Sequence, residues 1–243
     1  MRLSHDLTVS PVGIFSQSST QETDLGAKMV TSDGSVYRYT KAGDTTLVIG
    51  TLVDGPAMVT NHTNVAVAAI SAIGASTITV TLGATAATVN QYQGGYIVIN
   101  EGAGVGYSYR IKSHPAAALS ASLVLTLEDD NLVQIATATT SNATLVPNQY
   151  SGAIIHPLAE TGIPIGMVVY PITAKYYGWV KTRGVCAALQ DASVPAIGQA
   201  VAASTTTAGC VTLGTGTNQL ANIGYALAQG VDGEHNPIFL TIF

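Results

Sequence analysis

Three glycines at alternate positions, Gly102, Gly104 and Gly106, come closest to a ligand-binding motif in this sequence. In a dinucleotide site, such glycines follow a strand and open a helix whose N-terminus binds the pyrophosphate. Here they lead into residues 107–109, where aromatic and hydroxyl side chains alternate as in a strand. Because no helix N-terminus would face a phosphate, we interpret residues 96–111 as one hairpin with a glycine-rich loop.

Carboxylates and histidines, which carry most acid–base and metal chemistry, are few in this sequence, and their spacing does not match known catalytic or metal-binding motifs. The carboxylates of Glu128–Asp130 are consecutive, whereas glycoside hydrolysis needs two carboxylates that face one bond across a cleft. None of the five histidines lies four residues from another or within a Cys-x-x-Cys frame, the spacings typical of zinc sites. The densest group is Asp232, Glu234 and His235. A solvated glycine-rich turn accounts for these polar residues, and a weak calcium or carboxylate site is the alternative.

These patterns predict a protein without catalytic residues, metal, cofactor or small-molecule substrate. The sequence has no Gly-x-Ser-x-Gly elbow and no cysteine with an obvious base. The enzyme alternative is a glycan hydrolase with a β fold, which would use Asp129, Asp130 or Glu234 and would need carboxylates of perturbed pKa in a cleft.

Charge is scarce along the whole chain of 243 residues. Asp, Glu, Lys and Arg make up 9% of the residues, compared with about 25% in ordinary soluble domains. Residues 192–231 contain none of them. A surface of this kind is poorly solvated by itself, which favours burial between subunits. The net charge of −5 argues against nucleic acid as a direct partner, because phosphate binding needs a basic face.

One window, residues 65–89, is apolar and long enough to suggest a membrane span. Within it, hydroxyl and apolar side chains alternate from Ser76 to Leu82. That period of two is typical of a half-buried strand and not of a single helix. We therefore predict no membrane interaction.

The N-terminus lacks the apolar segment of a signal peptide, so we expect assembly in the cytoplasm. The two cysteines, Cys186 and Cys210, are then expected to be reduced core thiols. A disulfide between their two strands is the alternative.

Short apolar runs separated by Gly, Pro, Asn and Asp predict an all-β fold. We expect short-stranded antiparallel β-barrel or β-sandwich domains with an extended N-terminal arm. The proposed divisions are an arm at 1–27, a β-rich domain at 28–175 and a C-terminal β domain at 176–243. A connector rich in proline places the last boundary near Lys175.

Several local elements are specific enough to compare with a structure. Residues 77–82 are the clearest strand, and residues 46–49 and 132–138 are further strand candidates. Residues 218–229 could hold a helical turn, which Gly224 weakens.

Two groups of residues are candidates for contacts with other proteins. The N-terminal arm is either a flexible segment or one that becomes ordered on a partner, in which case Ile14 and Phe15 are its apolar anchors. Tyr176, Tyr177 and Trp179, which include the only tryptophan, form either the core of a domain junction or a subunit interface.

The C-terminal region contains a recurring pattern of short strands and glycine turns in the segments Gly184-Val185-Cys186-Ala187, Pro195-Ala196-Ile197-Gly198-Gln199, Thr205 to Val211, Ile223-Gly224-Tyr225-Ala226 and Pro237 to Ile242. In this pattern the region resembles small head-decoration (cement) proteins of tailed phages. The middle segment from Gln91 to Asn100 is similar to virion proteins of tailed phages. The likeness covers about half of the chain, and the middle region is the part it covers least.

This resemblance implies a homotrimer on the capsid exterior, at three-fold or quasi-three-fold positions, that clamps neighbouring copies of the major capsid protein. A tail fibre, spike or other receptor-binding virion protein is the alternative, since it would share the β-rich composition with many Thr and Gly residues.

Overall fold

The computed structural model describes residues 11–128, 140–215 and 222–242. Within these ranges the chain is built almost entirely from strands, and the two helices are short 3-10 helices, Pro11–Phe15 and Thr60–His62. The all-β prediction is therefore confirmed.

Sixteen strands are formed in the described ranges. In chain order they are β1 (Lys28–Val30), β2 (Val36–Ala42), β3 (Leu52–Asp54), β4 (Val65–Ala66), β5 (Thr77–Thr81), β6 (Tyr96–Glu101), β7 (Ser108–Ser113), β8 (Ser122–Leu127), β9 (Asn142–Val146), β10 (Ser151–Ile155), β11 (Pro164–Val168), β12 (Tyr177–Leu189), β13 (Ala200–Ala203), β14 (Val211–Leu213), β15 (Asn222–Ala226) and β16 (His235–Thr241).

The chain forms two compact units, and they do not follow the predicted boundary. Unit 1 contains Met1–Pro56 and Gln149–Phe243, and unit 2 is Ala57–Asn148 between them. The boundary expected near Lys175 falls inside unit 1. The reason is β12, a strand of 13 residues that starts just after that position. It pairs with β2 and β11, which precede the expected boundary, and with β16, which follows it.

The first half of β12 belongs to a closed ring of strands that we call the first barrel. Its order is β2, β10, β3, β11 and β12, and β12 pairs back to β2. All neighbours are antiparallel except β10 and β2, which are parallel, so the antiparallel prediction fails for this pair. The buried core of the first barrel consists of Ala42, Leu47, Val53, Ala153, Ile165, Val168, Ile172 and Val180.

The second half of β12 continues into another ring, the second barrel. The order is β12, β16, β15, β13 and β14, and a parallel bridge from Gln190 to Val211 closes it. Every second residue of β12 from Thr182 to Ala188 is buried, which is the period of two expected of a strand. The core of the second barrel consists of Cys186, Ala188, Val201, Ala203, Val211, Ile223, Ala226, Ile238, Leu240 and Ile242, against which Leu52 and Met167 also pack.

A buried cation lies where β12 passes from one barrel to the other. The pairing of β12 with β2 shifts register between Lys181 and Arg183. Lys181 is buried at this bulge, donates a hydrogen bond from Nζ to the carbonyl of Val185 over 2.6 Å, and sits above the ring of Tyr37. The bulge thus bends the strand so that its two halves serve different cores.

Unit 2 is a six-stranded antiparallel ring in the order β4, β9, β6, β7, β8, β5. A bridge from Val67, just after β4, to Val80 on β5 closes it. The ring encloses a core of Val65, Val67, Ile78, Val80, Leu82, Ala87, Tyr92, Ile97, Ile99, Ile111, Leu123, Leu125, Leu127, Ala143 and Leu145. The strand predicted at 77–82 and the hairpin predicted at 96–111 are confirmed as β5 and as the pair β6–β7.

Three buried rings tie the loops of unit 2 together. The hydroxyl of Tyr92 is 2.5 Å from Nδ1 of His62, whose Nε2 bonds the carbonyl of Thr85 over 2.9 Å. The backbone N–H of Tyr92 donates to Nε2 of His114 over 3.0 Å, and Nδ1 of His114 bonds the carbonyl of Pro115 over 2.8 Å. Burial raises the pKa of the Tyr92 hydroxyl, which stays protonated.

Three local predictions have other outcomes. Residues 46–49 contain only an isolated bridge at Leu47, because this short segment meets Ile172 at one position. Residues 222–226, expected within a helical turn, form β15, since pairing with β13 and β16 overrides the local pattern. The strand predicted at 132–138 lies outside the described residues.

Candidate functional site

The glycine cluster is a hairpin loop, as predicted. Ile97 on β6 is paired with Tyr109 on β7, and the loop between these strands contains the three glycines. Gly102, Gly104 and Gly106 all have positive φ, between 79° and 87°. Their spacing therefore serves the turn. This hairpin, which is fully described, leads into a strand and offers no helix N-terminus to a phosphate.

The acidic candidates that the structure describes do not form a site. Glu128 pairs with Arg110, whose Nε lies 3.0 Å from its carboxylate, and Asp129 and Asp130 lie outside the described residues. Asp232 and Glu234 are exposed in the turn before β16. Across the described ranges, no three His, Cys, Asp or Glu side chains are placed to hold a metal ion.

A buried carboxylate–imidazole pair is the one feature with catalytic character that the sequence did not reveal. Nδ1 of His156, just after β10, lies 2.9 and 3.0 Å from the two carboxylate oxygens of Asp54 at the end of β3. Such a pair orients the histidine in hydrolase triads. In the part of the chain that the structure describes, no Ser, Thr or Cys side chain bonds the other ring nitrogen. The partners are 102 residues apart, so no local motif could have found them.

Both cysteines are free and buried. Burial raises the pKa of Cys186 to about 11, and burial, followed by the charges of Asp191 and Asp232, raises that of Cys210. Thiols of this kind are protonated near neutral pH and are poor nucleophiles.

The structure brings the predicted arm and the predicted aromatic residues together. Ile14, which is 3% exposed, packs with Met29 and Tyr37 and against the half-buried Trp179. Ser18 and Tyr177 exchange both backbone hydrogen bonds, at 3.0 and 2.9 Å. The described part of the arm, from residue 11, is therefore packed within unit 1, and the side chain of Ile14 is already buried within this chain.

The remaining predicted contact residues are more accessible. Phe15 is 59% exposed and Tyr176 is 38% exposed. Between the arm and the sheet lies a narrow cleft lined by Tyr39, Tyr177 and Trp179. The rings of Tyr39 and Trp179 meet edge to face with centroids 5.1 Å apart. Trp179 thus lies between the arm and the strands of the first barrel.

A larger candidate surface lies on the second barrel, on the side of β12, β16 and β15 that faces away from their core. Val185 on β12 is paired with Phe239 on β16, which is paired with Tyr225 on β15. Val185 is 56% exposed, Tyr225 is 46% exposed and Phe239 is half-buried. These three side chains form one row across three strands.

A second row continues the same surface. Ala187 is paired with Pro237, whose carbonyl accepts a hydrogen bond from the N–H of Leu227 over 3.0 Å. All three are exposed. We call these two rows, Val185, Phe239, Tyr225, Ala187, Pro237 and Leu227, the outer face. Because the other side of the same strands forms the core of the second barrel, these strands are apolar on both sides. That is typical of sheets covered by protein on both faces.

The chain matches no known protein family, no curated protein and no solved structure. None of the helices in the described ranges has the length and apolar character needed to cross a bilayer.

Proposed function

We propose that this protein is a structural virion component that decorates the outside of a phage capsid as a homotrimer and stabilises the shell by binding the major capsid protein. The observation that carries the proposal is the outer face, an apolar strand surface with no other part of the described chain against it. Three segments of the resemblance to decoration proteins overlap its strands: residues 184–187, 223–226 and 237–242, of which the last ends one residue beyond β16.

The dimensions of the outer face suggest how it would act. From His235 to Thr241, β16 advances about 20 Å, and the three strands are about 10 Å wide, which gives roughly 200 Å². Covering that area contributes about 5 kcal/mol at 25 cal/mol per Å². Association costs about 4–15 kcal/mol, and a standard interface buries about 800 Å² on each partner. The outer face alone is therefore too small to hold two proteins together stably. An assembly that used it would need further contacts, both between copies of this chain and with the shell.

The scarcity of charge supports adhesion as the role. The second barrel and its loops contain no charged residue between 192 and 231, so this region offers little for electrostatic steering of a ligand. Its buried thiols and its turn carboxylates are not arranged for chemistry. The contribution to the virion would be the interface area that must be broken before the shell can open.

The test is the native mass of the purified protein and its occupancy on heads assembled from the major capsid protein of the same genome. We expect a trimer that binds these heads. Val185→Lys should reduce both trimer formation and head occupancy. Val124→Lys is the matched control, because Val124 is also an exposed strand valine (43%) but belongs to unit 2. A monomeric protein that does not bind heads would refute the proposal.

A further inference from the structure

We infer that residues 13–18 of the N-terminal arm form a latch. In the free protein they lie on the first barrel and bury Ile14, and they must leave the barrel before Ile14 and Phe15 can enter an apolar groove of a partner together. The inference rests on the proposed binding to a capsid for the identity of that partner. It adds a contact within the chain that restrains this binding until the arm is released.

The first observation is that the two apolar residues of the latch have opposite environments. Ile14 is 3% exposed and packs with Met29 and Tyr37, whereas the adjacent Phe15 is 59% exposed. One apolar side chain therefore contacts this chain, and the other faces solvent. A partner cannot reach Ile14 while the latch is closed, so the two residues are available as a pair only after release.

The second observation is that few contacts hold the latch closed. Its backbone joins the barrel at one bridge, between Ser18 and Tyr177. The side-chain oxygen of Gln17 accepts a 2.7 Å hydrogen bond from the N–H of Thr173. A narrow cleft remains between the latch and the barrel, so the two surfaces are not in full contact. Segments with so few buried apolar contacts are the first to open in a folded protein.

The third observation is that the latch can leave without breaking a pair of strands. Near Tyr177, β12 pairs with β2 on one side, while β11 reaches only Val180 and Lys181 on the other. The bridge to Ser18 lies beyond that end of β11, at the edge of the sheet. Residues 19–22, which follow the latch, are all exposed and can serve as its tether. Release therefore leaves the order of strands in the first barrel unchanged.

A closed latch lowers the affinity for a partner that needs the released arm. When only a fraction of the molecules is competent to bind, the apparent affinity falls by that fraction. Weakening the contacts between latch and barrel should therefore strengthen binding to the partner, and locking them should weaken it. An arm that was only a structural part of the barrel would give neither effect.

A disulfide that locks the latch tests the inference. Ser18 and Tyr177 are directly opposed in an antiparallel bridge, where the Cα atoms are about 5.5 Å apart and within the range that a disulfide spans. Oxidised S18C/Y177C should bind heads assembled from the major capsid protein about tenfold more weakly, or worse, than the same protein after reduction. The reduced form should bind at least as tightly as the wild type, because loss of the Tyr177 side chain weakens the closed latch.

The matched control is T81C/S122C, which places a disulfide between two exposed, directly opposed residues of β5 and β8 in unit 2. Its head binding should be the same in both redox states. Circular dichroism checks that the oxidised and reduced forms of both variants fold.

Hydrogen exchange of the free protein provides a measurement that does not require heads. In reduced S18C/Y177C, the amides at positions 18 and 177 should exchange about tenfold faster than in the oxidised form, or more, because their hydrogen bonds exist only while the latch is closed. The amides of β9 in unit 2 should exchange at the same rate in both forms.

The outcomes separate this inference from the proposed function. Equal head binding in the two redox states of S18C/Y177C overturns the inference, and so does equal exchange at positions 18 and 177. A lock that dissociates the trimer but leaves head binding unchanged also overturns it, because the arm would then join copies of this chain. In each of these cases the proposed function stands if the wild type binds heads. If the wild type does not bind heads, the proposed function is refuted, and the exchange result alone decides whether the latch opens.

Discussion

Acid should destabilise unit 2 through His114. Its Nδ1 faces the carbonyl of Pro115, which can only accept a hydrogen bond, and its Nε2 faces the N–H of Tyr92, which can only donate one. The imidazole must therefore be neutral in the folded unit. Burial lowers the pKa of His114, the bond to Pro115 partly opposes this shift, and the nearby His62 adds to it. The contacts of His62 do not impose the same restriction. Its Nδ1 faces the hydroxyl of Tyr92, and a hydroxyl can either donate or accept a hydrogen bond.

The sign of the pH effect follows from these contacts. The ordinary pKa of histidine, 6.5, describes His114 in the unfolded chain, and the pKa in the folded chain is lower. The stabilisation is therefore fully present above about pH 6.5 and is lost as the pH falls from there towards the folded pKa. Below the folded pKa the loss is complete.

The substitution His114→Leu shows how much the contacts of His114 contribute to the stability of unit 2. It leaves the buried N–H of Tyr92 without its acceptor, which costs about 1–3 kcal/mol at neutral pH. For a unit of this size, each kcal/mol corresponds to about 4–8 °C in Tm. Since leucine does not titrate, the variant should also lose stability less steeply between pH 7.5 and 5.5 than the wild type.

Hydrogen exchange of peptides that contain Tyr92, corrected for the intrinsic pH dependence of exchange, reports the stability of unit 2. The fluorescence of Trp179, the only tryptophan, reports unit 1 in the same samples. His235→Gln is the control, because His235 is exposed and should leave the pH response of unit 2 unchanged. Equal pH responses of wild type and His114→Leu, or a wild-type unit 2 that becomes more stable in acid, would refute the reasoning.

Two further predictions concern unit 1, and both are measured by urea unfolding monitored at Trp179. Asp54→Asn removes the charge that faces a buried histidine and should cost about 3–5 kcal/mol, whereas Asp44→Asn, in an exposed pair with a lysine, should cost about 0–1 kcal/mol. Similar losses of stability for the two variants would show that the buried pair of Asp54 and His156 contributes no more than the exposed pair. Ile14→Ala empties a buried site and should cost about 2–4 kcal/mol, while the neighbouring Phe15→Ala should stay within about 0.5 kcal/mol. An unchanged midpoint for Ile14→Ala would mean that the arm does not hold its place on the barrel.

The class of fold and the nature of the glycine cluster could be predicted from the sequence because both depend on neighbours in the chain. The alternation at residues 77–82 repeats every two residues, and that period is a property of the strand itself. Likewise, the aromatic strand that follows Gly106 was sufficient to identify a hairpin loop without knowledge of any distant contact.

The division into units could not be predicted locally. The connector before Lys175 contains the prolines and turns that mark a boundary, yet β12 begins just beyond it and pairs with strands on either side. The pairing of Asp54 with His156 likewise joins positions on either side of unit 2. Sequence patterns carry no information about which of many similar strands will pair.

For the site, composition and local spacing are sufficient to predict a protein that is poor in charge, rich in strands and without a recognisable catalytic motif. The burial of Ile14 in its own chain and the common outer face of Val185, Phe239 and Tyr225 depend on the folded arrangement of distant strands. In the sequence, Val185, Phe239 and Tyr225 are apolar or aromatic residues within apolar strands, and Ile14 is one isolated apolar residue of the arm. Which side of the strand meets the core depends on register, and register is fixed by hydrogen bonds between residues far apart in the chain.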